Sequence, residues 1–232
     1  MTRARLGVIG GMGPAASALF YRMVTDRTAA SCDQEHIDLL LWSHAAMPDR
    51  TAALLAGRGE ELYEQLLADA RLLEQAGCTA LAIPCNTSHV FAPQLERDLN
   101  IPFLNMIDSA AAEARRRGWR RVAILATDGT IRNGLYQRAC AAQGIEAVVP
   151  DETTQKQVMH VIYDLVKAGR EVTAADWTPL ADWRKRAGCD GAVLACTELS
   201  VAREQLRLDD TWADAMLALA DAAISACGGK LK

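Results

Sequence analysis

The sequence predicts an α/β protein built from two similar halves, each with a mainly parallel sheet. Two observations carry this. The stretch Gly77-Cys78-Thr79-Ala80-Leu81-Ala82-Ile83-Pro84-Cys85-Asn86-Thr87 is echoed by Gly188-Cys189-Asp190-Gly191-Ala192-Val193-Leu194-Ala195-Cys196-Thr197, and in both copies the second cysteine falls eight residues after the glycine. Each copy follows a helix-like run, Leu66 to Ala76 or Leu180 to Ala187, that stops at the glycine, a common helix C-terminal signal. The opening apolar run Leu6-Gly7-Val8-Ile9 also returns, as Val122-Ala123-Ile124-Leu125-Ala126, at a comparable distance before the second cysteine. Helical stretches alternating with short apolar runs imply a parallel sheet. The expected division is 1–117, joined by a C-terminal helix over 211–232, and 118–210.

In chain order, Leu6 to Ile9 reads as a buried strand, then Gly10-Gly11-Met12-Gly13-Pro14 opens a helix from about Ala15 to Ala29. Proline suits the first helical turn, and the glycines admit an anion to the helix N-terminus. Gly11-x-Gly13-x-x-Ala16 also fits a loose dinucleotide fingerprint. The next strand, about Ile37 to Trp42, ends in Ser43-His44 without the acidic partner of that motif, so a small carboxylate is the better ligand. Met47-Pro48-Asp49-Arg50-Thr51 is a polar turn opening another helix, in which Arg50 is either solvated or a bidentate carboxylate ligand. Glu60 to Ala76 is amphipathic, with Leu62, Leu66, Leu67 and Leu73 on its buried side.

After Cys85, Asn86-Thr87-Ser88-His89 is read as the start of a helix. His89, four residues on, either forms an ion pair with the thiol or bonds to backbone or water. Asn100 to Met106 reads as a strand and Asp108 to Arg117 as a helix. In the second half, Thr127-Asp128-Gly129-Thr130 takes the place of the glycine loop. Gly144 to Pro150 is a strand, Thr153 to Lys167 a helix, and Thr178 to Ala187 leads into the second cysteine strand. An alanine-rich helix from Thr211 to Cys227 closes the chain.

A net charge of −4 argues against nucleic-acid binding, and the basic cluster Arg115 to Arg117 suits a helix end, where cations are favourable. Seven cysteines without paired C-x-x-C spacing resemble neither a zinc site nor a disulfide scaffold, so reduced thiols in the cytoplasm are expected. No apolar run reaches membrane-spanning length, and no signal-peptide core precedes the first strand. The protein is therefore expected to contact no membrane.

Ligands of open α/β sheets bind beyond the carboxyl ends of the strands, where Cys85 and Cys196 fall. If the halves are related by a pseudo-twofold axis, the two thiols face one cleft. One as thiolate base and the other as thiol acid could remove a proton from one face of a carbon acid and return it on the other. Holding a thiolate at neutral pH costs about 2 kcal/mol unless helix N-termini help. Asn86, Thr87, Thr127 and Thr197 supply donors for a carboxylate whose charge grows during the reaction. Cys78 and Cys189, at the opposite strand ends, read as small buried hydrophobes.

Pro84 to His89, Ala195-Cys196-Thr197-Glu198-Leu199, Gly10 to Pro14, Met47 to Thr51, Ala126 to Thr130 and the helix reaching Lys167 together resemble the aspartate/glutamate racemase family over nearly the whole chain. The resemblance implies two flavodoxin-like halves about a pseudo-twofold axis with the active site between them. It also implies a homodimer that uses neither pyridoxal phosphate nor metal. By the same resemblance Cys85 and Cys196 are the acid/base pair. Met12, Asn86, Thr87, Thr127, Thr197 and Glu198 line the site around the α-carboxylate and amino group. Arg50 and Lys167 hold the distal carboxylate, displacing the simpler view of Lys167 as a cation at a helix end. Some relatives carry threonine at the first cysteine and accept one enantiomer; Cys85 implies turnover in both directions. His44, where a small polar residue is more usual, leaves aspartate and glutamate both open. The rival readings are a cysteine-dependent isomerase or racemase of a related diacid or hydantoin, a non-catalytic amino-acid-binding protein, and a redox pair of Cys85 and Cys196.

Overall fold

The computed structural model describes residues 3–232. The chain forms two compact units, Met1–Met106 with Met216–Lys232, and Ile107–Ala215. The helix at Met106–Arg116, placed by sequence at the end of the first half, thus falls with the second unit.

The first unit runs β1 (Arg5–Gly10), α1 (Pro14–Arg27), β2 (Asp38–Ser43), α2 (Arg50–Leu55), α3 (Gly59–Gln75), β3 (Ala80–Ala82), a 3₁₀ turn (Thr87–Phe91), α4 (Ala92–Asp98) and β4 (Phe103–Leu104). Its strands are parallel in the order β2-β1-β3-β4. The second unit runs α5 (Met106–Arg116), β5 (Arg121–Ala126), α6 (Asp128–Arg132), α7 (Leu135–Ala142), β6 (Glu146–Val148), α8 (Glu152–Met159) continued by a π-helical segment (His160–Val166), α9 (Ala174–Arg186), β7 (Gly191–Ala195), α10 (Thr197–Leu206) and β8 (Trp212–Asp214). Its order is β6-β5-β7-β8, again all parallel, so each unit repeats one flavodoxin-like strand order. From the boundary, α11 (Ala215–Ala226) completes the first unit.

The inner strands β1, β5 and β7 are apolar on both faces because helices cover both, so their near-continuous runs are legible as buried parallel strands. In the first unit Ile9, Leu66, Leu73, Leu81 and Ile83 form one core with Phe91 and Leu95; in the second Leu125, Val161, Leu194 and Leu199 pack with Trp177 and Trp212. Gly191 is required by this packing, since a Cβ there would lie 2.3 Å from the Trp119 ring.

Four elements differ from expectation. The strand toward Cys85 ends at Ala82, because Pro84 has no N–H to donate and the Cys85 N–H turns back to the Ile83 carbonyl at 2.7 Å. Asn86 to His89 do not open an α-helix; a 3₁₀ turn at Thr87–Phe91 leads into α4. Thr127 to Thr130 form no open loop, since Thr127 Oγ1 caps α6 by accepting from the Thr130 N–H. The closing helix begins only at Ala215, because Trp212–Asp214 form β8, paired with β7.

Candidate active site

In the first unit β3 and its turn deliver Cys85, Asn86, Thr87, Ser88 and His89, all buried. Met12 follows β1 and is also buried; its Sδ accepts from the Ser88 hydroxyl at 3.7 Å. Arg50 opens α2 but is not a solvated turn residue: it is 8% exposed. Its guanidinium donates to the carbonyls of Pro48 at 3.0 Å, Met47 at 3.3 Å and Met12 at 3.3 Å, tying the turn before α2 to the loop after β1. That loop needs glycine at position 11, where φ is +87° and a Cβ would come within 2.6 Å of the His44 and Ala45 backbone. The close approach that glycine permits here is to the chain itself.

His89 does not pair with the Cys85 thiol. Its Nδ1 hydrogen-bonds the Cys85 carbonyl at 3.0 Å and its Nε2 accepts the Met106 N–H at 3.0 Å, which assigns the proton to Nδ1 and leaves the ring neutral. Burial pushes its pKa down to about 4. The imidazole stitches the cysteine turn to Met106, within the first unit. Asp69, which the sequence reading passed over, is buried on α3 and accepts from Trp42 Nε1 at 2.9 Å while its other oxygen holds His44 Nδ1 at 2.7 Å. Its signal was an acid standing between Leu66 and Leu73 on the apolar stripe of α3.

In the second unit β5 and β7 run in register to Ala126 and Ala195, so Thr127 and Cys196 leave adjacent strand ends side by side. Cys196 Sγ donates to Glu198 Oε2 at 3.0 Å, the Thr197 hydroxyl donates to the same oxygen at 3.4 Å, and Lys167 Nζ pairs with Glu198 Oε1 at 3.1 Å. Lys167 also lies 5.3 Å from the centre of the Tyr163 ring. These two side chains come from a widened turn whose closing bond, Lys167 N–H to the Ile162 carbonyl, spans five residues. Cys196 stands at the N-terminus of α10, which favours a thiolate. Burial first, and then the Glu198 carboxylate, outweigh the helix and hold the Cys196 pKa well above the ordinary thiol range. The expected assistance to ionisation is therefore overridden at this cysteine.

Three further buried polar residues in this unit were not foreseen. The Ser200 hydroxyl donates to Asp214 Oδ1 at 2.7 Å, both residues buried, and Tyr136 is fully buried on α7. Gln155 Nε2 donates to the Ala126 carbonyl at 2.9 Å and to Asp128 Oδ1 at 2.8 Å, fixing the loop after β5. A groove of about 500 Å³ in this unit, lined by Asp128, Ile131, Gln155, Met159, His160 and Tyr163 among others, contains none of the expected site residues. Among the described residues no group of three or more His, Cys, Asp or Glu side chains is placed to hold a metal ion, and no helix is long and apolar enough to cross a membrane.

Each unit thus gathers a cysteine at the end of its third strand with buried amide, hydroxyl and charged groups. The sequence pattern of the Asp/Glu/Hydantoin racemase family matches residues 9–224. The broad specificity amino-acid racemase RacX of Bacillus subtilis (strain 168) is 24% identical over 226 residues, covering 95% of this chain and 96% of its own. The solved structure of Picrophilus torridus aspartate racemase is similar with a TM-score of 0.82 at 29% identity, covering 99% of this chain and 96% of that one. Glutamate racemase from Thermus thermophilus, solved with β-chloro-D-alanine, shares the fold with a TM-score of 0.67 at 20% identity, covering 97% and 82% of the two chains.

Proposed function

Because the chain belongs to the Asp/Glu/hydantoin racemase family and its reaction is the racemisation of an amino acid, we propose that it racemises aspartate or glutamate by proton transfer between Cys85 and Cys196. The observation that carries this reading is the hydrogen bond from Cys196 Sγ to Glu198, which presents one of the two strand-end thiols with its proton in place. Cys85, as thiolate, takes the α-proton; Cys196 delivers its own to the opposite face; the stereocentre inverts. Asn86, Thr87, Thr127 and Thr197, all buried, receive the α-carboxylate as negative charge grows on it. Met12 and Glu198 complete the surroundings of the α-carbon and amino group, and Arg50 and Lys167 hold the distal carboxylate.

The two thiols need no pyridoxal phosphate and no metal, since they themselves hold and return the proton. The enzyme works in the cytoplasm as a homodimer. The support for a cytoplasmic location is that all seven cysteines are free. Support for the dimer is the edge strand β2, with Leu40 and Trp42 exposed on it; a solution mass of one chain, 25.1 kDa, would contradict it.

Broader specificity is the second reading. It is favoured by the name of the Bacillus subtilis relative and by Lys167, whose ammonium is already paired with Glu198. Chiral chromatography of products from both enantiomers of aspartate, glutamate and alanine separates the two. The acidic reading predicts that the better of aspartate and glutamate exceeds alanine in kcat/KM by at least about 100-fold, roughly the 3 kcal/mol worth of a buried charged hydrogen bond. Equal turnover of alanine would contradict it.

A further inference from the structure

Glu198 engages the Cys196 thiol directly. Oε2 accepts from Sγ at 3.0 Å and from the Thr197 hydroxyl at 3.4 Å, while Oε1 is held by Lys167 at 3.1 Å. The carboxylate is 4% exposed, so water screens the contact little. A thiolate has no proton to give Oε2, and two buried anions at that distance repel, so the contact exists only with Cys196 protonated. The charged and titratable groups that act on this thiol are Glu198 from α10, which opposes ionisation, and Lys167, directly after the π-helical segment, which favours it. The Tyr136 phenol of α7 and, beyond it, the Asp214 carboxylate of β8 belong to the same buried cluster.

We infer that Glu198 is a positioning residue that locks the Cys196 thiol as a hydrogen-bond donor, so that in the unliganded protein Cys196 is the acid and Cys85 the base. The inference rests on the two-thiol reading above and gives its symmetric pair a resting direction. When substrate enters, the Cα–H bond breaks and its proton forms the Cys85 S–H bond. The electron pair left on Cα takes the Cys196 proton, and the electrons of that S–H bond stay on sulfur as thiolate. Charge is conserved, but it now lies beside Glu198. The form of the enzyme that accepts the second enantiomer is therefore the less stable one.

Alkylation by iodoacetamide at pH 7, followed peptide by peptide by mass spectrometry, reads this without turnover. Cys85 and Cys196 are 5% and 6% exposed, so similar cover protects each. Cys85 is expected to label at least about tenfold faster than Cys196 in the wild type. Glu198→Gln, which keeps the shape and removes the charge, should raise the Cys196 rate about tenfold, one pKa unit's worth. Glu198→Asp, which keeps the charge, should restore the wild-type ratio. Equal labelling in the wild type, or like behaviour of the Gln and Asp variants, would overturn the inference.

In turnover, Glu198→Gln should lower kcat by a larger factor than it raises KM; a raised KM with kcat intact would leave Glu198 only its contact with substrate. A wild type that racemises nothing yet keeps the labelling ratio contradicts only the substrate reading. A protein that racemises while Glu198→Gln leaves the ratio unchanged contradicts only the role given to Glu198.

Discussion

His89 carries the chemistry of a catalytic base, and the fold uses it as a strut. Both ring nitrogens are engaged by backbone, and burial brings the pKa from 6.5 to about 4. The unfolded chain therefore binds a proton at a pH where the folded one does not. The stability that this neutral ring supports is complete above about pH 6.5 and is lost as pH falls toward 4, amounting to about 3 kcal/mol. Urea midpoints measured from pH 7 to 4 should fall accordingly, and His89→Asn should flatten that slope; an equal slope in the variant would assign it to other groups. At this scale the sequence was partly legible. Cys196, Thr197 and Glu198 are neighbours in the chain, so their clustering was readable. The bond from Lys167 to Glu198 depends on a widened turn that no periodicity announces, and the hold of Asp69 on His44 depends on packing between α3 and β2.

Among the elements, those with a repeating signal were readable and those shaped by a single residue were not. β1, β5 and β7 appear as unbroken apolar runs, and α3 as an amphipathic stripe. β8 is three residues, Trp212-Ala213-Asp214, directly followed by an alanine-rich helix, so its pattern merges with the helix. Pro84 shortens β3, and Thr127 makes a helix cap where a loop was expected. The loop between β1 and α1 is held by Gly11, whose N–H donates to Ser17 Oγ at 2.8 Å while the His44 backbone passes where a Cβ would stand. Gly11→Ala combines a left-handed backbone with that overlap, and is expected to cost at least about 2 kcal/mol. A thermal-unfolding midpoint within a degree of wild type would show that the loop relaxes freely.

For the molecule as a whole, the repeat was the most informative signal in the sequence. Two glycine-to-cysteine segments of equal length become β3 with its turn and β7, the third strand of each unit, and the two sheets share one strand order. The halves have also diverged. The first carries Arg50 bound to the loop that holds Met12, and its cysteine leaves β3 through a proline turn; the second carries Lys167 and a carboxylate beside its thiol, at the head of a ten-residue helix. In the reading proposed above, that divergence equips the second thiol as a proton donor. The central claim is that both cysteines work on one α-carbon. It is tested by incubating reduced protein in deuterated water with L- and D-aspartate and L- and D-glutamate, following the α-proton by NMR in the wild type, Cys85→Ser and Cys196→Ser. We expect deuterium at Cα with inversion in the wild type, and racemisation lowered by about 10²–10⁴-fold in each variant, the worth of a lost acid or base. Wild-type racemisation surviving in either variant, or no exchange from any of the four with both thiols shown to be free, would contradict it.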